Sequence, residues 1–405
     1  MDAKERFLKY VSFGTNSDEE SDSCPSTPSQ LELGGYLADE LRAIGLYSVR
    51  LDGDGYVYGF LPGAGNLAGA PAVGFISHMD TSPSSPGDGI RPSEITYEGG
   101  DILLADGRTS ITVEDFPELA GLVGERLIVT DGRTLLGSDD KAGIAEIVTA
   151  CELLTRVTDR RPVAVAFTPD EEIGRGADRF DVRGFGADEA YTVDGGAIGE
   201  IEYENFNAAG FSLSVTGTNI HPGYAKGLMK NAVLMANEFL AMLPPAERPE
   251  HTEGREGFYH ITSISGDESS CTVKGIIRDH DRAGFEARKK TVAAVCRYLD
   301  GKYGAGRFDL SLTDSYFNMK EMILPRMHLI RDAEAAFEKE GVTPVIKPVR
   351  GGTDGARLSF MGLPCPNLSA GGLGFHSRRE FIPVSSLGRM TNVIVNIATA
   401  APSGD

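Results

Sequence analysis

Apolar residues recur along the chain in two periods, and the switches between them predict the architecture. Residues 3–13 carry Phe7, Leu8, Val11 and Phe13 at helical spacing, and 30–44 carry Leu31, Leu33, Leu37 and Leu41, so both segments predict amphipathic helices. The run SDEESDSCPSTPSQ between them is acidic and rich in Ser and Pro, the composition of a surface loop. Two short strands are expected around YSVRLD and YVYGFLP. They are followed by a continuous apolar strand, AVGFIS, that stops at His78 with Asp80 two residues on.

The same kind of ending recurs. RPVAVAFTPDEE is a buried strand running into Asp170, Glu171 and Glu172, and EAYTVDGG is a strand that stops at Asp194. Between them, Asp139 and Asp140 immediately precede a helix in which Ile144, Ile147, Val148, Cys151 and Leu154 share a face. Strands ending in acids, with helices between, predict an open α/β sheet whose crevice lies at the carboxyl ends of the strands. The stretch from Thr81 to about Thr134 is rich in Gly, Pro, Asp and Ser and shows only short strand-like pieces.

The pattern then changes to strand, helix, two strands, helix, strand over residues 209–315, the split βαβ order of a small ferredoxin-like α+β domain. Helical and strand signals of the first kind return after it. The expected organisation is therefore a catalytic-type α/β domain in two parts, 1–208 and 316–405, interrupted by an inserted domain, 209–315.

At 405 residues the chain has room for two domains and a well-buried core. A net charge of −20 leaves no basic footprint for phosphates, which excludes nucleic acid and anionic membranes as expected partners. Five scattered cysteines without CxxC spacing predict neither a disulfide framework nor a cysteine metal site. The opening MDAKERFLKYVSF lacks an apolar h-region and no later segment is apolar for long enough to span a bilayer, so a cytoplasmic location is expected. GAGNLA, from Gly63 to Ala68, matches a dinucleotide fingerprint, but a strand follows it where a helix is required, so it reads as a flexible turn.

Five residues at strand ends or in adjoining loops could ligate a metal: His78, Asp139, Glu172, Asp194 and His376. Imidazole nitrogen with carboxylate oxygen suits zinc, and also cobalt or manganese, and a carboxylate can be shared by two ions. Each residue also has an ordinary reading. His78 alone could be a hydrogen-bonded structural histidine, and the acids could be helix caps or solvated strand ends. His376 could be a mobile-loop histidine. Adjacent residues leaving a strand point in different directions, so one of Glu171 and Glu172 can ligate while the other faces a water, but the motif does not say which.

Taken together, ISHMDTSP, GSDDKAG, TPDEEIGRGA, YTVDGG, NIHPGYAKG, RGGTDGARLSFMGLPCPN and FHSRREF resemble the M20 family of dinuclear zinc peptidases, in order and from the first helix to the last. The resemblance implies a zinc-exopeptidase fold, an open mixed sheet interrupted by a lid and dimerisation domain, and an activity releasing the N-terminal residue of tripeptides. It implies two zinc ions per subunit: His78, Asp139 and Asp194 around one, Asp139, Glu172 and His376 around the other. Asp80 would orient His78, and Glu171 would act as general base toward a metal-bridging water and return the proton to the leaving amine. The family commonly has a cis peptide after the bridging aspartate, here Asp139–Asp140. His221, in the inserted domain, would stabilise the oxyanion when that domain closes, and Arg278 and Arg350 are the residues for the substrate carboxylate. His221 could otherwise be a turn residue and the arginines ordinary ion-pair partners. Implied partners are short peptides and a second subunit. Two other readings stand beside this one: a dipeptidase, carboxypeptidase or N-acyl amino acid deacylase of the same family, and a non-catalytic scaffold, against which the full set of ligands and base argues.

Overall fold

Strands whose residues are apolar at every position need cover on both faces, and the central sheet is built that way. A computed structural model of the chain describes residues 1–403. Across the sheet the strands run Tyr47–Leu51, Val57–Leu61, Val163–Thr168, Val73–His78, Glu189–Gly195, Asn367–Ser369, Glu200–Glu202 and Val345–Ile346. The four from Val163–Thr168 to Asn367–Ser369 are mutually parallel, while the first two pairings at one side and the Asn367–Ser369 to Glu200–Glu202 pairing are antiparallel. This is the expected mixed sheet.

Alternation along the central strands divides their side chains between two layers. Val73, Phe75, Val163, Val165 and Phe167 pack in one cluster with the helices Ala3–Tyr10, Ser29–Ala43, Ser138–Leu154, His328–Lys339 and Val384–Thr399. Ile76, Ala164, Ala166 and Ala190 face the other way, under Phe180, Phe185 and Leu358. Each fully buried large apolar side chain contributes roughly 1.5–3 kcal/mol. The first helix is shorter than the expected 3–13. Asp2 and Glu5 close a capping box at its start, and at its end the Val11 N–H donates to Phe7 O as the chain turns away. GAGNLA contains a one-turn 3-10 helix, Gly65–Leu67, and is followed by the Val73–His78 strand.

The Gly- and Pro-rich stretch after Thr81 is more ordered than its composition suggests. Ser93–Thr96 and Arg126–Val129 form a three-stranded sheet with Phe381–Pro383, over a cluster containing Tyr97, Ile111, Leu119 and Leu127. The third strand comes from the far end of the chain, which no local pattern could announce.

By contact the chain divides into two units, one of Met1–Tyr203, Met319–Lys347 and the residues from Thr353 onward, the other of Glu204–Asn318 with Pro348–Gly352. The second unit contains the expected 209–315 and adds a short later segment, because Val349 bridges to Asn205 and Arg350 bonds to the 252–256 turn. Its four strands lie in the order Phe258–Gly266, Ser270–Asp279, Asn207–Thr216, Phe308–Tyr316, all antiparallel. The helices Ala232–Met242 and Arg282–Tyr303 pack on them through Phe239, Phe285, Val292 and Leu299, giving the β-α-β-β-α-β order. Among the described residues no helix is long and apolar enough to cross a membrane.

One position in the first unit requires glycine for close approach. At Gly143, in the Ser138–Leu154 helix, a Cβ would collide with the carbonyl oxygen of Val193 and press on Ser77 Oγ. Gly143→Ala should gain about 1 kcal/mol of helix propensity and lose more to overpacking, about 1–3 kcal/mol or above. A lower urea midpoint at unchanged m-value is the expected result, and an unchanged or higher midpoint would refute the close approach.

Candidate metal centre

The parallel register places the chemistry. His78 is paired with Thr168 and Ile76 with Thr192, so Asp194, two residues beyond Thr192, stands level with His78 on the neighbouring strand. Beyond Thr168 the chain passes through Asp170, a non-glycine residue at φ 58°, into the one-turn helix Glu171–Ile173. Asp139 enters from the side: it and Asp140 have non-helical dihedrals at the start of the Ser138–Leu154 helix, and the peptide bond between them is cis. His376, also at φ 58°, lies in a loop whose base is closed by reciprocal backbone hydrogen bonds between Leu373 and Phe381, both 2.9 Å.

These elements bring all five expected ligands together at the carboxyl ends of the strands. His78, Asp139 and Asp194 form one group whose ligand atoms lie within 4.8 Å of one another, and Asp139, Glu172 and His376 form a second. His78 Nε2 is 2.9 Å from Asp139 Oδ1 and 3.4 Å from Asp194 Oδ1. His376 Nε2 is 3.0 Å from Asp139 Oδ2 and 2.9 Å from Glu172 Oε2. The Asp139 carboxylate therefore offers one oxygen to each group. Of the two adjacent glutamates it is Glu172 that joins a group.

The donor set fits a pair of divalent cations. Each group is one imidazole with two carboxylates, the combination zinc accepts, and one carboxylate is common to both. Glu172 Oε1 is buried without a hydrogen-bond partner among the described residues, an acceptor that a cation would satisfy. His376 is the accessible member, its side chain 49% exposed against 3% for Glu172.

Electrostatics among these residues shows how much negative charge is concentrated. Burial, and then Asp139, pushes Glu172 up to about 7. Burial also pushes Asp194 up to about 7, against the opposing pull of His78. At Asp139 burial works upward, but hydrogen bonds from His376 and His78 outweigh it and hold the carboxyl below its usual range. His376 is raised to about 10 by its bonds to Asp139 and Glu172. A divalent cation would take over the part that imidazolium charge plays in this balance.

Asp80, the residue expected to orient His78, makes contacts on two sides. His78 Nδ1 lies 3.0 Å from the Asp80 carbonyl oxygen and 3.3 Å from its Oδ1, contacts that suit a proton on Nδ1 and a free lone pair on Nε2. The same carboxylate accepts the Glu171 N–H at 3.0 Å on Oδ1 and the Glu172 N–H at 3.1 Å on Oδ2. Asp170 is fastened in turn by the Ser/Pro loop and the start of the helix after it: it accepts from Ser26 N at 2.7 Å and, from the Ser29–Ala43 helix, from Gln30 Nε2 at 2.7 Å. Sequence reasoning missed Ser26, Gln30, Asp170 and Glu380 as members of the site's frame. Asp170 and Glu380 carried a local signal, Asp170 directly before Glu171 in TPDEE and Glu380 four residues after His376 in FHSRREF.

His221, Arg278 and Arg350 belong to the second unit. His221 precedes a short 3-10 turn and its Nδ1 accepts from Gly223 N at 3.1 Å. Arg278 donates to Ile277 O at 3.1 Å and lies over the Tyr316 ring. Arg350 is heavily engaged, donating to Gly254 O at 2.8 Å and Thr252 Oγ1 at 3.0 Å with its guanidinium over Phe206 and Phe258.

Comparison with known proteins gives the following likenesses. Residues 203–307 match the M20 family model described as a peptidase dimerisation domain. Peptidase T of Desulfitobacterium hafniense (strain Y51) is 53% identical over 397 residues, 97% of this chain and 96% of that protein. Among solved structures, the aminopeptidase PepT from Bacillus cereus superposes with TM-score 0.78 at 23% identity, covering 98% of this chain and 97% of that one. A tripeptidase from Staphylococcus aureus gives TM-score 0.77 at 20% identity over 98% and 97% of the two chains. A dinuclear metal-binding M20 peptidase from Bacillus subtilis gives 0.65 at 13% identity over 98% of each.

A buried carboxyl behind the centre supplies a pH test. Asn367 Oδ1 accepts the Asp194 N–H at 3.2 Å, and Asn367 Nδ2 donates to Glu202 at 2.7 Å. Burial pushes Glu202 from its ordinary 4.5 up to about 7, against the bond from Asn367. Between those values the folded chain keeps a proton that the unfolded chain has released, so stability from this group falls as pH rises and is lost above about 7. Glu202→Gln should therefore unfold at higher denaturant than the parent near pH 8, by on the order of 2–3 kcal/mol. The gap should narrow toward pH 4.5, and a pH-independent gap would contradict the assignment.

Proposed function

The chain belongs to the peptidase T group of M20 metallopeptidases, and from that premise we propose that it releases the N-terminal residue of tripeptides. The observation that carries the reading is the Asp139 carboxylate, shared between His78 and His376 in two groups of ligands at one sheet rim. His78, Asp139 and Asp194 would hold one ion and Asp139, Glu172 and His376 the other, with zinc the best match to the donors and cobalt or manganese able to replace it. Such ions supply Lewis acidity to the scissile carbonyl and lower the pKa of water.

The residues' own part follows from how the Glu171–Glu172 turn is held. Asp80 fixes both amide N–H groups, and the two side chains leave in different directions. Glu172 reaches His376, while Glu171 lies in the cluster formed with His78, Thr168, Asp194 and Asp354. Glu171 is the general base: it takes a proton from the attacking water and gives it to the amine of the departing dipeptide, which balances the hydrolysis. Asp80 keeps that carboxylate and the His78 ring in place. His221 is read as the oxyanion donor and Arg278 and Arg350 as contacts for the substrate carboxylate, by resemblance to the family. The match of 203–307 to a dimerisation domain supports a homodimer.

The assay compares tripeptides, dipeptides and N-acyl amino acids on protein stripped with chelator and reloaded with zinc, cobalt or manganese. Chelator-sensitive release of the first residue from unblocked tripeptides is expected. Its absence would sink the reading, and preference for the shorter or blocked substrates would move the chain to another activity of the family. Glu171→Gln should lower kcat by about 10²–10⁴ with metal content unchanged. His221→Ala should lower kcat by roughly 10²–10³ with little change in KM. Near-normal turnover in either variant removes that residue from its role.

A further inference from the structure

Glu380 is almost fully buried, yet both of its oxygens are in use. Oε2 accepts from the N–H groups of Leu136 at 2.7 Å and Gly137 at 2.9 Å. Oε1 accepts from Ser138 Oγ at 2.6 Å and from the Asp139 N–H at 3.1 Å. A carboxylate has about four lone-pair sites, and here four donors fill them. The turn can present its N–H groups to one acceptor because Gly137 sits at φ 77°, a conformation that other residues rarely adopt.

The four donors belong to the turn that ends in Asp139, while Glu380 stands at the base of the loop that carries His376. That loop is pinned by the Leu373–Phe381 bonds, and the strand Phe381–Pro383 continues from it into the small sheet. One buried carboxylate thus joins two ligand-bearing segments, Leu136 and Glu380 being 244 residues apart in sequence. On the other side of the junction, Asp139 Oδ2 meets His376 Nε2 at 3.0 Å.

We propose that Glu380 is a positioning residue for the second metal group, clamping the Asp139 turn to the His376 loop so that Asp139, Glu172 and His376 meet at the spacing an ion requires. It touches neither substrate nor ion. The inference rests on the dinuclear reading above and assigns Glu380 a separate task. Glu380→Gln is the informative change because it keeps the volume. Its amide nitrogen is a donor, however: turned toward Leu136 and Gly137 it faces two N–H donors, and turned toward Ser138, whose hydroxyl can accept from it, it still leaves the Asp139 N–H without its acceptor.

The test is a titration of chelator-stripped full-length protein with cobalt(II), followed by its absorption spectrum and by competition with a chelator. The parent should bind two ions. Glu380→Gln should bind the first with little change and the second about 10–100-fold more weakly, the usual effect of removing a partner behind a metal ligand. Ser138→Ala removes only the 2.6 Å contact and should weaken the same step by a smaller factor. Glu189→Gln is the control, since Glu189 is a buried carboxylate at the opposite end of its strand, bonded to Arg161 and His328. It should alter the unfolding midpoint and leave both binding steps alone.

Unchanged second-ion affinity in Glu380→Gln overturns the proposal, and so does equal weakening in Glu189→Gln, which would mean general loosening. If Glu380→Gln does not fold, Ser138→Ala decides: wild-type affinity for both ions overturns the clamp, and selective loss of the second supports it. A parent that binds fewer than two ions fails at an earlier point and overturns the dinuclear reading together with this one.

Discussion

The constraint on which this structure turns is the cost of keeping several carboxylates out of water at one place. Glu171, Glu172, Asp194 and Asp139 crowd the rim of a sheet whose strands are apolar on both faces, and unpaired buried charge is among the most expensive features a fold can contain. The fold answers with donors at two levels. The imidazoles of His78 and His376 face the carboxylate oxygens themselves. Behind them, backbone N–H groups are collected onto Asp80, Asp170 and Glu380, three buried carboxylates that do not ligate but fix the turns from which the ligands project. The turn sequences, the left-handed Asp170 and the kink at Asp139 all serve this arrangement.

Much of the frame was legible because it rests on local pattern. Val73, Phe75 and Ile76 leave no polar face, so AVGFIS had to be a covered strand, and a histidine at its end had to leave the core. The acidic endings at Asp194 and after Thr168 read the same way, and the inserted β-α-β-β-α-β order appears in the second unit as expected. The ligand groups were named through family resemblance, since spacing alone did not separate Glu171 from Glu172. In the structure Glu172 is the one that reaches His376, from a turn whose adjacent N–H groups are held by the two oxygens of Asp80. That contact crosses 91 residues and leaves no trace in either segment's periodicity.

What sequence could not show is mostly of that kind. Glu380 looked like one more charged residue in FHSRREF, Ser26 like part of a surface loop, and Gln30 like the first residue of an amphipathic helix. Their roles appear only when remote segments meet. Arg350 is the opposite case. Family resemblance assigns it to the substrate carboxylate, and within its own unit the guanidinium also meets a carbonyl oxygen and two aromatic faces, contacts no local pattern announced.

The span of the chain that contributes to the centre has a consequence for how the protein is made. Ser26 and Gln30 hold Asp170, the strand ligands come from the first half, and His376 and Glu380 arrive within the last thirty or so residues of the described chain. During synthesis the central strands Val73–His78, Val163–Thr168 and Glu189–Gly195 can pair long before His376 and Glu380 leave the ribosome, but the pairing of Asn367–Ser369 beside Glu189–Gly195 and the second ligand group must wait. Until then the nascent chain carries an acidic rim with one histidine and no clamp. The second ligand group is thereby the last part of the centre to form, because Asp139 and Glu172 are made long before the His376 that joins them.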